Sequence, residues 1–396
     1  MVFKSTAEVV IIGGGVMGTS TAYYLAKCGV KDVVLLEKRY LASGPTGKSA
    51  AHIRPYHGVE ETIKIIQRTI QVYLNFSEMV GGDAEFRNTG RIWAEPESKR
   101  KLLEDAVALS RRGGIKAEYL STKDLEEMMP GVATEGLAVA VLFPEAGYSN
   151  PGLVTASFAA RAREMGVEIY EETEVTGIDV SGGRVRSVTS SRGAVSAPIV
   201  LNAAGIWSPQ IGQMVGIDIP IKPTRGQGVV FRLPWELPSF TPIFHDGRSQ
   251  YIFRCEPGNL VNLINTLEKV DAEILDPDTM PEDASEETLA NALERGPETF
   301  PALKMASYRG GYSCAYDVTP DDSPIMEESE DIHGFFNMVG WSGLGMTQAP
   351  AAGELMAELI TTGKTTLVDV SIYSSRRFKE NRPLASAWLF GEIGFN

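Results

Sequence analysis

Near the N-terminus, "IIGGGVMG" sets Gly13, Gly15 and Gly18 in the spacing G-x-G-x-x-G, directly behind the β-branched run Val9–Ile12. In that spacing Gly13 permits a tight turn, Gly15 lets the backbone approach a pyrophosphate, and Gly18 lets a helix pack closely on a strand. The residues from Val16 to Lys27 suit a helix, which Gly29 ends. The start of that helix offers unpaired N–H groups and a positive dipole end to phosphates. A second apolar run finishes at Glu37, nineteen residues after Gly18, where a carboxylate accepts hydrogen bonds from ribose hydroxyls. Its charge also disfavours a 2′-phosphate. These parts make a complete β-α-β dinucleotide-binding unit, which by itself leaves NAD and FAD open.

Cys314, in "GGYSCAYDVTPDD", poses a separate question. It lies among small and polar residues, and its type allows packing, metal ligation, redox chemistry or covalent attachment. The chain has three widely spaced cysteines and four histidines, with no CxxC pair. Neither a metal site nor a disulfide framework is expected, and a reducing cytoplasm is the simplest compartment. Cys28 and Cys255 read as packing residues. His52 and His57 are of the type that changes charge near neutrality, although a lone histidine is more often a hydrogen-bonded structural residue.

These groups need a scaffold. At 396 residues the chain exceeds one compact core, so two domains are expected. Its net charge of −14 argues against nucleic acid or an anionic membrane surface as partner. Residues 9–26 carry no charge. The glycine run and the Thr19-Ser20-Thr21 cluster nevertheless make them strand, turn and helix rather than a membrane span or signal peptide. Downstream, residues 43–47 form a loop, and 61–80 form a helix with Ile63, Ile66, Ile70 and Tyr73 on one face. Asn150-Pro151 opens another helix that closes at Gly166. "VTGIDVSGGRVRSVTS" is a hairpin, and residues 199–202 are a strand turning at Ala203, Ala204 and Gly205. From about 221 to 305 the texture shifts to short strands, such as 228–231 and 251–253. An acidic stretch, 268–287, precedes a helix ending near Gly296. "TGRIWAEP" and "VAVLFPEAG" read as strands of the same region.

Four further segments follow the glycine motif in order: "ASGPTGKSAAHIR", "VLNAAGIWS", "YDVTPDDSPI" and "GWSGLGMTQAPAAGELMAELI". On these the chain resembles the FAD-dependent amine and amino-acid oxidoreductases of the D-amino-acid oxidase family. The nearest branch is that of sarcosine oxidase, dimethylglycine dehydrogenase and proline dehydrogenase. The resemblance implies an α/β chain with a Rossmann-like FAD-binding domain, discontinuous over 1–85, 145–220 and 306–396. A second, α+β substrate domain with a mixed sheet would take 86–144 and 221–305.

The resemblance also implies a site. Gly13, Gly15, Val16, Met17, Gly18, Glu37 and Lys38 would hold the ADP half of FAD. Thr46, Lys48, Ser49, Ala50, Ala51 and His52 would line the pyrophosphate and flavin edge. Val175 would meet the adenine through its backbone, with Ala203, Ala204, Gly205 and Trp207 lining the same pocket. Gly340, Gly343, Leu344, Gly345, Met346 and Thr347 would wrap the pyrimidine end of the flavin, at a helix start able to stabilise negative charge on the reduced ring. Cys314 stands where the monomeric sarcosine oxidase pattern carries its flavin by a thioether, so both covalent and non-covalent FAD stay open.

On the substrate side, Arg54 matches an arginine that grips a carboxylate, as its bidentate fork allows. Tyr251 and Arg254 match a region supplying an aromatic wall and a polar contact, and Tyr316 and Trp341 complete the substrate side. The implied reaction is oxidation of an amino acid or related secondary or tertiary amine, N-methyl-glycine-like or proline-like. A hydride passes from the carbon next to nitrogen to flavin N5, and water hydrolyses the imine. Arg54, Tyr251 and Thr347 are the expected catalytic residues. Thr347 occupies the place of a lysine that helps sarcosine oxidases reach oxygen. Its neutrality favours a dehydrogenase that passes electrons to another acceptor, such as a partner protein or subunit. The alternatives are a flavin-holding subunit or assembly factor without amine oxidation, and an NAD-linked dehydrogenase, against which the C-terminal glycine-rich motif argues.

Overall fold

The computed structural model describes residues 3–235, 241–266 and 276–384. Its first layer is a six-stranded sheet in the order Ile325–Glu328, Phe335–Val339, Ile199–Asn202, Val9–Ile12, Val33–Leu36, Glu168–Tyr170. All neighbours are parallel except the edge strand Ile325–Glu328. Val9–Ile12 and Val33–Leu36 are buried at every position, as strands covered on both faces must be. The uncharged segment near the N-terminus is therefore a strand followed by the helix Val16–Lys27. Among the described residues no helix is long and apolar enough to cross a membrane.

The helix Gly345–Thr362 returns from the far end of the chain to pack on Val16–Lys27. Small residues allow the approach. A Cβ on Gly353 would lie 2.5 Å from Ser20 Oγ, and that hydroxyl also reaches the Ala349 carbonyl at 3.1 Å. This packing puts the start of the last long helix beside the start of the first.

The second layer is an eight-stranded mixed sheet in the order Ser307–Val318, Lys222–Arg232, Leu260–Asn265, Tyr251–Glu256, Ile243–Asp246, Arg91–Glu95, Val139–Phe143, Glu118–Leu120. Only Ile243–Asp246 and Arg91–Glu95 pair in parallel. Ser307–Val318, which the sequence division placed with the nucleotide-binding part, pairs along Lys222–Arg232 in this sheet. Tyrosines cover the glycines of that pairing. A Cβ on Gly228 or Gly226 would sit 2.6 Å from Tyr312 Cζ or 2.4 Å from Tyr316 Cζ, respectively.

The hairpin of Val175–Ser181 and Arg184–Ser190 turns at Gly182 and Gly183, both with positive φ. The helix expected over 61–80 is two pieces, Glu60–Leu74 and Phe76–Met79, meeting at Asn75. Asn150 caps Pro151–Glu164 by accepting the Leu153 N–H. The helix expected to end near Gly296 runs on through Pro297 as Glu286–Thr299. Part of the acidic stretch, 268–275, lies outside the described residues.

Candidate active site

A cavity of about 490 Å³ runs from the carboxyl ends of the parallel strands to the face of the eight-stranded sheet. That is where open α/β sheets bind ligands, at the ends of strands whose connections diverge. Glu37 and Val175 lie towards one end, and Arg54, Tyr56, Arg91 and His245 towards the other.

The first part is a cradle built by close backbone approach. Gly13 has φ of 113°, and a Cβ there would meet Ala203 O at 2.4 Å. Gly18 does not line the cavity; its Cβ would fall 2.0 Å from Gly13 O, so its task is helix–strand packing. Gly15, Val16 and Met17 border the cavity at the start of the first helix, and Thr46 Oγ1 accepts the Val16 N–H at 3.2 Å. Glu37 accepts from Gly14 N at 2.7 Å and Arg39 N at 2.8 Å, one on each carboxylate oxygen. Oε1 also accepts from Ser43 Oγ at 3.5 Å, so Oε2 keeps acceptor capacity for a ribose hydroxyl. Lys38 Nζ lies 4.1 Å from the Trp207 ring centroid, and both side chains bond Asp278. Ala204 and Gly205 border the same end.

The middle of the cavity is bordered by Ser49, Ala50, Ala51 and His52 on one side and Cys314, Tyr316, Trp341, Gly343, Leu344, Gly345 and Met346 on the other. Gly340 is not at the wall: it has φ of 76°, and a Cβ there would strike Thr319. Its N–H donates to Asp317 Oδ2 at 2.9 Å, which holds the glycine-rich turn, and burial pushes that carboxyl up to about 6. Cys314 is buried, and burial pushes its thiol up to about 11.

Three expected contacts fall elsewhere. Lys48 points outward to Glu282 at 2.8 Å. Arg254 donates to the Ala50 carbonyl, pairs with Glu256 and lies over the Tyr148 ring, bordering a neighbouring cavity. Tyr251 is fully buried in the cluster with Phe253 and Leu263 behind the sheet, while Gln250 and Ile252 face the cavity. Side chains alternate along a strand, so the aromatic wall expected from Tyr251 is on the wrong face. Burial also pushes its phenol up to about 12.

Thr347 is likewise a positioning residue. Its hydroxyl donates to His52 O at 3.0 Å and accepts Arg54 N–H at 3.1 Å, tying the last long helix to the segment carrying Arg54. It does not border the cavity.

At the far end several ionisable side chains converge. Arg54 is 7% exposed, and its Nε and Nη2 are buried without a partner. Desolvation lowers it to about 10, with Arg91 adding to the effect and Tyr56 and Asp322 opposing it. Tyr56 stacks on Trp93 with centroids 4.4 Å apart, and Trp93 stacks on His245. The Tyr56 hydroxyl accepts from Arg91 Nε at 3.2 Å and meets His245 Nδ1 at 3.3 Å. Burial lowers all three histidines of this region, His57 to about 3, so none changes charge near neutrality as the sequence reading allowed.

Sequence reasoning missed Tyr56, Arg91, Trp93 and His245. The alternation in "RIWAE" puts Arg91, Trp93 and Glu95 on the cavity face and Ile92 and Ala94 in the core. His245 joins Trp93 only through the parallel pairing of two distant strands, which no local signal announces.

A family described as FAD dependent oxidoreductase matches residues 8–359. The chain belongs to this family. Among curated relatives, 4-methylaminobutanoate oxidase (formaldehyde-forming) of Paenarthrobacter nicotinovorans is 26% identical over 94% of this chain and 46% of its own length. The mitochondrial pyruvate dehydrogenase phosphatase regulatory subunit of Mus musculus is 29% identical over 90% of this chain and 42% of its own. The chain thus spans less than half the length of either. The solved L-proline dehydrogenase from P. horikoshii superposes with a TM-score of 0.88 at 27% identity, covering 96% of this chain and all of the other. The cradle fits FAD: glycines stand where any side chain would close the turn, and two helix starts face one cavity.

Proposed function

We propose that this FAD-dependent oxidoreductase oxidises a secondary or tertiary amine that bears a carboxylate. The observation that carries the reading is Arg54: a buried guanidinium with unpartnered donors, in the same cavity as the dinucleotide cradle. Such a group is expensive to bury alone and is repaired by an arriving carboxylate. Bound FAD supplies a two-electron acceptor for a hydride from the carbon beside nitrogen. Arg54 fixes the carboxylate and so orients that carbon. Thr347 holds the Arg54 backbone, and Tyr56, stacked on Trp93, forms a rigid wall beside it. Burial away from water lowers the pKa of a bound ammonium, which favours the neutral amine whose lone pair assists oxidation.

Electron delivery to an acceptor other than oxygen, such as a partner protein, is supported by Thr347. Its neutral hydroxyl is already engaged on both sides, in the place where the resemblance expects a lysine. The likeness to a regulatory subunit favours a second reading, a flavin-holding subunit without amine oxidation. Anaerobic mixing of the FAD-loaded protein with a panel of N-methyl amino acids, proline and carboxylate-free amines separates the two. Bleaching of the flavin band by the carboxylated amines is expected. No bleaching by any of them refutes the first reading.

A further inference from the structure

Arg54 is not the sole buried cation in the cavity. Arg91 is 1% exposed, donates through Nε to Tyr56, and keeps Nη2 buried without a partner. Among the described residues no carboxylate oxygen lies within 4.0 Å of either guanidinium. Lys99 borders the same end. The acid on the Arg91 strand face, Glu95, instead accepts Trp93 Nε1 at 2.7 Å, and burial raises its pKa. One carboxylate on Arg54 would leave Arg91 uncompensated. A buried cation without a counter-charge is costly, and a hydrogen bond to one phenol does not need a guanidinium.

We propose that Arg91 is a second anion-binding position of this cavity, so that the substrate is an amine bearing two carboxylates, one held by Arg54 and the other by Arg91. The inference rests on the proposed amine oxidation and names its substrate class. The two guanidinium carbons lie 5.2 and 5.4 Å from the centroid of one ring, Tyr56. Their separation cannot exceed those two distances laid end to end. Both carboxylates can therefore belong to one small amine, and an N-carboxymethyl or N-methyl amino dicarboxylate falls within that bound.

The test measures binding and turnover on the FAD-loaded protein. Thiodiacetate and (methylthio)acetate are unreactive sulfur analogues with two carboxylates and one. Calorimetric titration is expected to show thiodiacetate bound about 10- to 150-fold more tightly, the range of one charge-assisted contact. Arg91→Met should erase that gap and leave (methylthio)acetate affinity nearly unchanged. Arg91→Lys, which keeps the charge without the fork, should retain part of it and serves if the methionine variant does not fold. Removing an unpaired buried cation should also leave melting temperature equal or higher, whereas a purely structural arginine would lower it. Equal affinity for the two analogues, or equal loss of both in Arg91→Met, overturns the proposal. In parallel, N-methylaspartate and N-methylglycine are compared as reductants of the flavin. If neither bleaches it while thiodiacetate still binds through Arg91, amine oxidation fails and the second anion position stands.

Discussion

Replacing Arg54 by methionine removes the charge that the site reading depends on and retains much of its volume. Desolvation holds the guanidinium near 10, against an ordinary value of 12.5. Each unit is worth about 1.4 kcal/mol, so the buried cation stores roughly 3 kcal/mol of unfavourable solvation. A carboxylate that pairs with Nε and Nη2 recovers a cost of that order, which corresponds to about a hundredfold in affinity. The backbone N–H of Arg54, not its side chain, meets Thr347, so Arg54→Met leaves that tie intact. The expected outcome is a loss of about a hundredfold in kcat/KM for a carboxylated amine, with little change for the same amine without its carboxylate. Arg54→Lys should fall between, since a point charge replaces a fork. Anaerobic stopped-flow bleaching of the flavin by N-methylglycine and by dimethylamine gives the ratio, and thermal unfolding gives the stability. Equal losses on both amines, or a marked fall in melting temperature, would show that Arg54 supports the fold and does not grip the substrate.

Gly18→Ala should lower stability by about 1–3 kcal/mol or more and reduce bound flavin per chain, because its Cβ would meet backbone at Gly13 O; unchanged melting and flavin content would count against the cradle. His57 falls from 6.5 unfolded to about 3 folded, so the unfolded chain binds the extra proton between those values and stability drops as pH falls through them. His57→Asn should remove up to about 1.4 kcal/mol per pH unit from that acid slope, and an unaltered slope in urea unfolding from pH 6.5 to 4 contradicts the assignment. The Cys314 thiol near 11 gains thiolate about tenfold per pH unit below that value. In the covalent alternative a C–S bond replaces a C–H bond of the flavin 8-methyl group, the flavin takes up the two electrons and dissolved oxygen reoxidises it. Attachment is then expected to be slow and base-accelerated. Intact mass after long incubation at pH 9 should include the flavin in the parent and not in Cys314→Ala, and a bare polypeptide mass in both would end the covalent reading.

The dinucleotide unit was legible because its determinants are local. Gly13, Gly15, Gly18 and Glu37 act within one β-α-β turn, and the short burial-saturated strands announce themselves by β-branched runs. The last helix was legible from its glycine-rich start and small-residue spacing. The substrate end was harder to read. Arg54 could be named, and Tyr56 is its near neighbour in sequence, but Arg91 and His245 come from paired strands far apart in sequence. Tyr251 shows the cost of a one-residue error on a strand: the segment is at the cavity, yet the tyrosine belongs to the opposite face. Arg254 and Lys48 were misplaced for another reason. Long charged side chains reach whichever acceptor the surface offers, here Ala50 O and Glu282, and sequence does not specify that choice.

One physical cause links the features of the far end. Two buried guanidiniums flank a single aromatic ring in a chain whose net charge is −14, so the positive potential there is local and not a property of the whole surface. A unit charge about 7 Å away across an effective dielectric of about 20 is worth roughly 2 kcal/mol, more than one pKa unit. Burial, with that field added, keeps His57 and His245 neutral, and burial with Arg254 and then Arg91 does the same for His52. The substrate's carboxylates offset that field once they pair with the guanidiniums, so what then favours the neutral amine is burial of the nitrogen away from water. Compensation of the cations is left to the substrate's own negative charges, which is why the number of those charges, more than the shape of the amine, should govern what the cavity accepts.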